Sequence, residues 1–211
     1  MYNIKPIDIK ILAEVKSQYQ HIELIESMDY ILLLLDGHAQ FVYPGEKIYH
    51  KALIDDAVNY LKRRPLTILI IGGGDGLACR NALRYTNDVY VVEIDPEIIK
   101  FAKTNPFLST LNAKSLYKAK VFIQDAISIP KWIKADLIVI DLIDPINRKT
   151  KRLYSPSYIQ ALINNNLKEG GIISAYRMPA LKHFGRVIVK RVFLPLMDPL
   201  DIWYYKQTSL F

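Results

Sequence analysis

Five acidic residues stand where strand-like runs give out. Asp75 follows "LTILIIGGG" (66–74), Glu93 closes "DVYVVE", Asp125 closes "KVFIQD", and Asp141 closes "DLIVID", with Asp144 three residues on. A carboxylate can hold a cation, accept hydrogen bonds from hydroxyls, or take a proton from a nucleophile. One acid at a strand end is commonplace. Acids at four such ends would share one crevice and repel each other unless a cation or several hydroxyl donors were bound there.

The elements around these acids predict where they meet. The run 66–71 is suited to a buried strand, the glycines after it make a tight turn, and "LACRNALRY" continues as a helix. Beyond it come a strand in "DVYVVE", a helix in "DPEIIKFAK" with Asp95 as cap and Pro96 in its first turn, and strands in "KVFIQD" and "DLIVID". "SPSYIQALINNNL" repeats the cap-plus-proline opening, Gly170 and Gly171 are expected to stop that helix, and "IISAY" is a further strand. Strands alternating with helices imply an α/β fold with a mostly parallel, doubly wound sheet, whose ligands sit at the carboxyl ends of the strands. The first forty-odd residues read differently. "HIELIES" and "YILLLLDGHAQFVY", separated at Met28-Asp29 and broken at Asp36-Gly37, give short strands or hairpins. Ile48, Ala52, Leu53, Val58 and Leu61 then fit one helical face, ended by Pro65. The expected division is a small N-terminal β domain over 1–47 and a Rossmann-like domain over 48–211.

Glu93 lies 21 residues after Gly72, close to the spacing at which an acid accepts hydrogen bonds from both ribose hydroxyls. A dinucleotide fingerprint would read G-x-G-x-x-G. Here the glycines are Gly72, Gly74 and Gly76, and position 77 is Leu, which favours a site of the S-adenosylmethionine type. Asp125 would then reach the adenine amino group. A strand followed by glycines also reads as a tight turn alone, and Asp75 also reads as a cap for the helix behind it.

Bulk properties narrow the classes. The chain has 211 residues, 51% of them hydrophobic, enough to bury a substantial core. Its aliphatic runs, such as Ile31–Leu35, are far too short to cross a bilayer, and the opening "MYNIKPIDIK" lacks the apolar block of a signal peptide, so a cytoplasmic location and no membrane partner are expected. A single cysteine, Cys79, excludes an intrachain disulfide, and four scattered histidines predict no metal. The net charge of +7 and the run "NRKTKR" (147–152) raise the question of an anionic partner, but no nucleic-acid module surrounds them and a solvated loop is the favoured reading.

Several short motifs resemble the spermidine synthase family of aminopropyltransferases. They are "YQHI" (19–22), "LDGHAQ" (35–40), "GEKIYHK" (45–51), "IIGGGDGLACR" (70–80), "VVEID" (91–95) and "IDLIDP" (140–145), all in family order. The resemblance implies a small β domain before a class I methyltransferase-type fold. It also implies that the co-substrate is decarboxylated S-adenosylmethionine, with no tightly bound cofactor, and that a polyamine is the acceptor. Asp75 would then sit against the co-substrate's terminal amine, where ordinary S-adenosylmethionine also carries a carboxylate. By the same similarity Asp141 is the base, Asp144 and Tyr49 steady the acceptor amine, and Gln20, Gln40 and His50 match positions near the nucleoside. Asp144 reads equally as a turn residue before Pro145, and Gln20, Gln40 and His50 as ordinary strand-end or helix-start residues.

Departures from the pattern accompany these matches. Lys51 stands where the family has an acid, Asp198 of "LPLMDPLDIWYY" falls opposite a family tyrosine, and the loop after "DP" is basic. The chain is also shorter than typical members. Short diamines are therefore expected to bind weakly. The resemblance further implies a homo-oligomer, a dimer or tetramer, joined through the β domains. A methyltransferase on the same fold and a non-catalytic or altered-substrate relative remain open beside the aminopropyltransferase. The acceptor, whether putrescine, agmatine, spermidine or another amine, stays open as well.

Overall fold

The computed structural model describes residues 9–61, 63, 66–142 and 148–207, with the backbone alone at 148 and 149. Four strands, β1 (Ile9–Lys16), β2 (His21–Ser27), β3 (Tyr30–Leu35) and β4 (His38–Tyr43), form an antiparallel sheet in the order 1-2-3-4. The β3–β4 hairpin closes on Asp36 and Gly37, both at positive φ (49° and 77°), the backbone that a two-residue Asp-Gly turn favours. Ile22, Leu24, Leu33 and Phe41 point from this sheet into an apolar cluster shared with Leu77, Ile98 and Leu108. That cluster fixes the small sheet against the helices of the larger one.

A continuous helix follows, made of α1 (Glu46–His50), a π-helical stretch (Lys51–Asp56) and α2 (Ala57–Leu61). The expected apolar face shifts because wider π turns change the angular spacing: Ile48 is exposed, whereas Tyr49, Ala52, Leu53, Ile54, Ala57, Val58 and Leu61 are buried. Pro65, the expected stop, lies outside the described residues.

The second sheet alternates with helices in chain order: β5 (Ile68–Gly72), α3 (Leu77–Ala82), β6 (Val89–Glu93), α4 (Pro96–Thr104), α5 (Pro106–Leu111), β7 (Lys120–Ile123), β8 (Ala135–Asp141), α6 (Arg148–Lys151), α7 (Pro156–Asn165), β9 (Leu167–Tyr176), β10 (Val187–Val192) and β11 (Leu200–Lys206). Its seven strands run 7-6-5-8-9-11-10, with β5 to β9 parallel and β10 and β11 antiparallel. This is the doubly wound, class I methyltransferase-type architecture expected. Two apolar layers cover the sheet, one including Leu53, Val58 and Cys79, the other including Ile159, Leu162 and Ile163 of α7. β5 is buried at every residue, which suits an uninterrupted apolar run in the middle of a parallel sheet.

The helix starts obey their local signals. Asp95 Oδ1 accepts from Glu97 N (3.0 Å) and Ser155 Oγ from Tyr158 N (3.2 Å), each ahead of a proline at the first helical position. Asn105 caps α5 in the same way, a helix the sequence reading missed. Gly170 and Gly171 do not stop α7. The helix ends at Asn165, and both glycines lie inside β9, where the pairing register with β8 shifts and Gly170 takes φ +66°. Asn166 ends the helix instead, its side-chain amide donating to the carbonyls of Pro130 and Ile133 (both 3.0 Å).

Candidate active site

A cavity of about 650 Å³ opens along the carboxyl ends of the parallel strands. Gln20, Gln40, Tyr49, His50, Gly72, Gly74, Asp75, Glu93, Asp125 and Asp141 all line it. Gly76 does not. It sits at the N-terminus of α3 with φ +81°. Asp144 lies outside the described residues.

The glycine turn is what lets the acids converge. A Cβ on Gly74 would lie 3.1 Å from Glu93 Oε2 and 2.6 Å from Ile98, and one on Gly73 would lie 3.3 Å from Asp141 Oδ2. The turn is therefore clasped between the carboxylates that end β6 and β8. Asp75 follows it and uses one oxygen, Oδ1, to accept from Leu77 N (2.8 Å), so it serves the helix start while also lining the cavity.

Each remaining acid is held by its own partners. Tyr49 donates its hydroxyl hydrogen to Asp141 Oδ1 (2.7 Å), which aims the carboxylate. Glu93 Oε1 accepts from Asp95 N (2.9 Å). Asp125 Oδ1 accepts from Ile127 N (3.0 Å), and its other oxygen is ion-paired with Arg152. Gln20 donates to Asp95 Oδ2 (2.8 Å), as does Ser17 (2.7 Å), tying the loop between β1 and β2 to the cap of α4. Gln40 donates to the His38 carbonyl (3.0 Å). The His50 ring bonds through Nδ1 to the Glu46 carbonyl (2.7 Å). A carbonyl only accepts, so Nδ1 carries the proton and Nε2 is left as an acceptor.

The electrostatics are those of an acid cluster removed from bulk water. Burial pushes Glu93 up to about 7, with Asp95 and Asp75 adding like charge. Burial also raises Asp75 and Asp141, and the charge of Asp141 adds to the effect on Asp75. The Tyr49 hydrogen bond opposes the rise at Asp141. Burial lowers His50 to about 3, so its ring is neutral. The cluster as a whole favours protonation or a cationic guest.

Sequence reasoning missed some of the lining. Tyr176 ends β9 and follows Ala175, the partner of Ile140, so the strand-end rule applied to "IISAY" identifies it. Met197 and Leu200 reach the cavity from the β10–β11 hairpin, for which the sequence carried no assigned strand pair. Lys51 and Asp198 are not among the lining residues. Lys51 pairs with Asp56 (3.0 Å). In the basic loop, Thr150 and Arg152 line the cavity and Arg152 meets an acid there. Among the described residues one group has metal-ligand composition, Glu14, His21 and Glu23 on β1 and β2. His21 faces Glu14 through Nε2 (3.1 Å) and Glu23 through Nδ1 (3.5 Å), so opposite ring edges serve the two acids and none of the three lies in the wall with Asp75 and Asp141. Among the described residues no helix is long and apolar enough to cross a membrane.

Known proteins give the arrangement a context. The chain is 39% identical over 162 residues to polyamine aminopropyltransferase 2 of Aquifex aeolicus, covering 74% of this chain and 32% of that protein. It is 32% identical over 177 residues to the polyamine aminopropyltransferase of Saccharolobus solfataricus, covering 81% and 59%. The chain thus spans between about a third and six tenths of the length of these relatives. Among solved structures, a spermidine synthase in complex with the transition-state analogue AdoDATO shares the fold with a TM-score of 0.83 at 22% identity, over 95% of this chain and 75% of that one. The spermidine synthase of Thermotoga maritima gives a TM-score of 0.81 at 22% identity, over 95% and 74%. The model of the spermine/spermidine synthase domain matches residues 46–184, a stretch that contains the clasped glycine turn, Asp75, Glu93, Asp125, Asp141 and Tyr49. The chain belongs to the spermine/spermidine synthase family.

Proposed function

We propose that this protein transfers the aminopropyl group of decarboxylated S-adenosylmethionine to the amine of a polyamine. The observation that carries the reading is the glycine turn held between Glu93 and Asp141 with Asp75 behind it. In this reading Glu93 accepts from the ribose hydroxyls, Asp125 with Gln20 and Gln40 borders the nucleoside, and Asp75 meets the terminal ammonium. Opposite charges about 4 Å apart attract by a few kcal/mol at intermediate dielectric, and a carboxylate there would be repelled by a similar amount.

The acceptor nitrogen's lone pair forms the new N–C bond at the carbon beside the sulfonium. The C–S bond breaks, its electron pair goes to sulfur, and neutral 5′-methylthioadenosine leaves. An alkylamine with a pKa near 10.4 is mostly protonated at pH 7, and freeing its lone pair costs roughly 4–5 kcal/mol. Asp141, oriented by Tyr49, takes the proton directly or through water, and Asp144 steadies the amine. His50 Nε2 is an acceptor, and the His50 and Tyr49 rings meet edge-on with their centroids 4.9 Å apart.

The reading also includes the division at residue 47, with the small β domain supplying residues 18–20 from the β1–β2 loop, and Asp36 and residues 38–40 from the β3–β4 hairpin, to the cavity wall. Assembly as a dimer or tetramer through that domain is supported by Ile9 and Ile11, exposed on the outer strand β1. A cytoplasmic location is in keeping with a free, buried Cys79.

Calorimetric titration tests the assignment. Decarboxylated S-adenosylmethionine is expected to bind at least about tenfold more tightly than S-adenosylmethionine, a gap of about 1.4 kcal/mol. Asp75→Asn should shrink the gap chiefly by weakening the decarboxylated ligand. A preference for S-adenosylmethionine would transfer the site to methyl transfer and reduce Asp75 to a helix cap.

A further inference from the structure

Asp95 joins two walls of the cavity from behind. It is fully buried and is not among the lining residues, yet three donors reach its carboxylate. Oδ1 accepts from Glu97 N (3.0 Å), and Oδ2 accepts from Ser17 Oγ (2.7 Å) and Gln20 Nε2 (2.8 Å). Its own backbone N donates to Glu93 Oε1 (2.9 Å). One residue thus holds both the acid that ends β6 and a glutamine of the β1–β2 loop, 75 positions earlier in the chain.

A helix cap needs less than this. One oxygen on a backbone N–H of the first turn suffices, and Oδ1 supplies it. Oδ2 serves the small sheet instead. Ser17 completes the link, because its Oγ also accepts from Tyr19 N (2.9 Å) and Gln20 N (3.0 Å), so the hydroxyl that donates to Asp95 also fixes the loop backbone at Gln20.

The polarity of Gln20 follows from its partner. A carboxylate has no hydrogen to give, so an amide facing it must turn its nitrogen inward. The amide oxygen is then the end that Gln20 offers to the cavity it lines. Glu93 is arranged alike, with Oε1 held by Asp95 N and Oε2 beside the glycine turn. Two acceptors on a common anchor suit two neighbouring hydroxyls, each with one hydrogen to donate, as on a ribose.

We infer that Asp95 is a positioning residue for nucleoside recognition, turning the Gln20 amide so that its oxygen joins Glu93 in accepting from the ribose hydroxyls. The inference rests on the proposed function. Asp95→Asn separates this role from the cap: asparagine caps helices as well as aspartate does, and its backbone N–H still reaches Glu93. With its oxygen on Glu97 N, however, it turns an NH₂ group towards Gln20, which must flip and present a donor to the cavity.

The test titrates 5′-methylthioadenosine and its 2′-deoxy and 3′-deoxy forms at pH 8.5, above the Glu93 titration, so that loss of the neighbouring charge leaves the protonation of Glu93 unchanged. Asp95→Asn is expected to weaken methylthioadenosine about tenfold, while the deoxy form lacking the hydroxyl that Gln20 receives binds the variant and the wild type alike. Asp95→Asn/Gln20→Glu, in which donor and acceptor are exchanged, should recover methylthioadenosine to within about threefold of the wild type. Unchanged affinity of Asp95→Asn overturns the inference. So does an equal loss for all three ligands, which is what a loosened α4 would give, and so does a double variant that recovers nothing. Should Asp95→Asn not fold, Ser17→Ala decides by removing the other donor on Oδ2: the same selective loss supports the inference, and no loss or an equal loss for all three overturns it. If the wild type binds methylthioadenosine but the variants overturn the inference, the proposed function stands without it. If the wild type binds none of the three, the nucleoside reading of the cavity falls and the inference falls with it.

Discussion

In the proposed reading, Asp141 has to meet two demands with one side chain. A base for an ammonium must be anionic and aimed, and burial works against the first requirement by raising the carboxyl group. The 2.7 Å bond from Tyr49 answers both, stabilising the anion and fixing one oxygen, while the lack of a side chain on Gly73 leaves Oδ2 uncovered. Burial and Asp141 raise the Tyr49 phenol well above its ordinary range, so it stays a donor throughout. If Asp141 accepts the proton, Asp141→Asn should lower turnover by about 10²–10⁴-fold while leaving methylthioadenosine binding close to wild type. Near-normal turnover of this variant at pH 7 with saturating amine would remove Asp141 from the role.

At the scale of elements, the glycine turn is a joint between β5 and β8. A Cβ on Gly72 would fall 2.2 Å from the Asp141 carbonyl oxygen, and the residue also holds φ +81°. Gly37 has a similar φ of +77° but nothing within 4 Å. The two sites separate backbone strain from collision. Gly37→Ala should cost about 1–2 kcal/mol, the usual penalty of a left-handed residue. Gly72→Ala should cost more and displace Asp141, so that its Tm falls further and turnover drops with it. Equal losses of Tm, with activity retained in both, would show that the β5–β8 contact does not position the base. The turn was legible in sequence because glycine spacing, an apolar run and an acid at the next strand end are all local signals. The same holds for Asp95 and Ser155, whose caps form as their prolines indicate. What stayed hidden depends on distant pairing. The fate of Gly170 is set by the register between β8 and β9, the burial of Tyr49 in place of Ile48 by a π turn, and the arrival of Met197 by a hairpin at the far side of the sheet. No window of sequence contains those partners.

For the whole molecule, a chain of net charge +7 encloses a cavity whose described acids include Asp75, Glu93, Asp125 and Asp141. Surface lysines and arginines raise the overall charge but contribute little inside, since exposed charges are screened over about 8–10 Å in physiological salt. The empty cavity therefore carries an electrostatic cost that appears as a proton affinity. Glu93 titrates near 7 in the folded protein against 4.5 as a free side chain, so the folded state binds the proton more tightly than the unfolded chain. Its protonated form supports the fold fully below about pH 4.5, and that support is lost as the pH rises through 7. Asp75 and Asp141 are raised in the same sense and add to the effect. If the proposed reading holds, a guest with a sulfonium, an ammonium and two ribose hydroxyls favours the charged carboxylates, so its arrival must expel protons that the unliganded site holds. Titration of decarboxylated S-adenosylmethionine at pH 6.5 should therefore give heats that differ between phosphate and Tris in proportion to their ionisation enthalpies, and at pH 8.5 this difference should shrink towards zero. Glu93→Gln should release fewer protons at pH 6.5. Its Tm in the absence of ligand should exceed that of the wild type at pH 8, by about 2–4 °C per kcal/mol of relieved repulsion, with the difference closing as the pH falls towards 4.5. Heats independent of buffer at pH 6.5 would mean that the cluster is already ionised when empty, and that the charge of the guest is not what the cavity is built to receive.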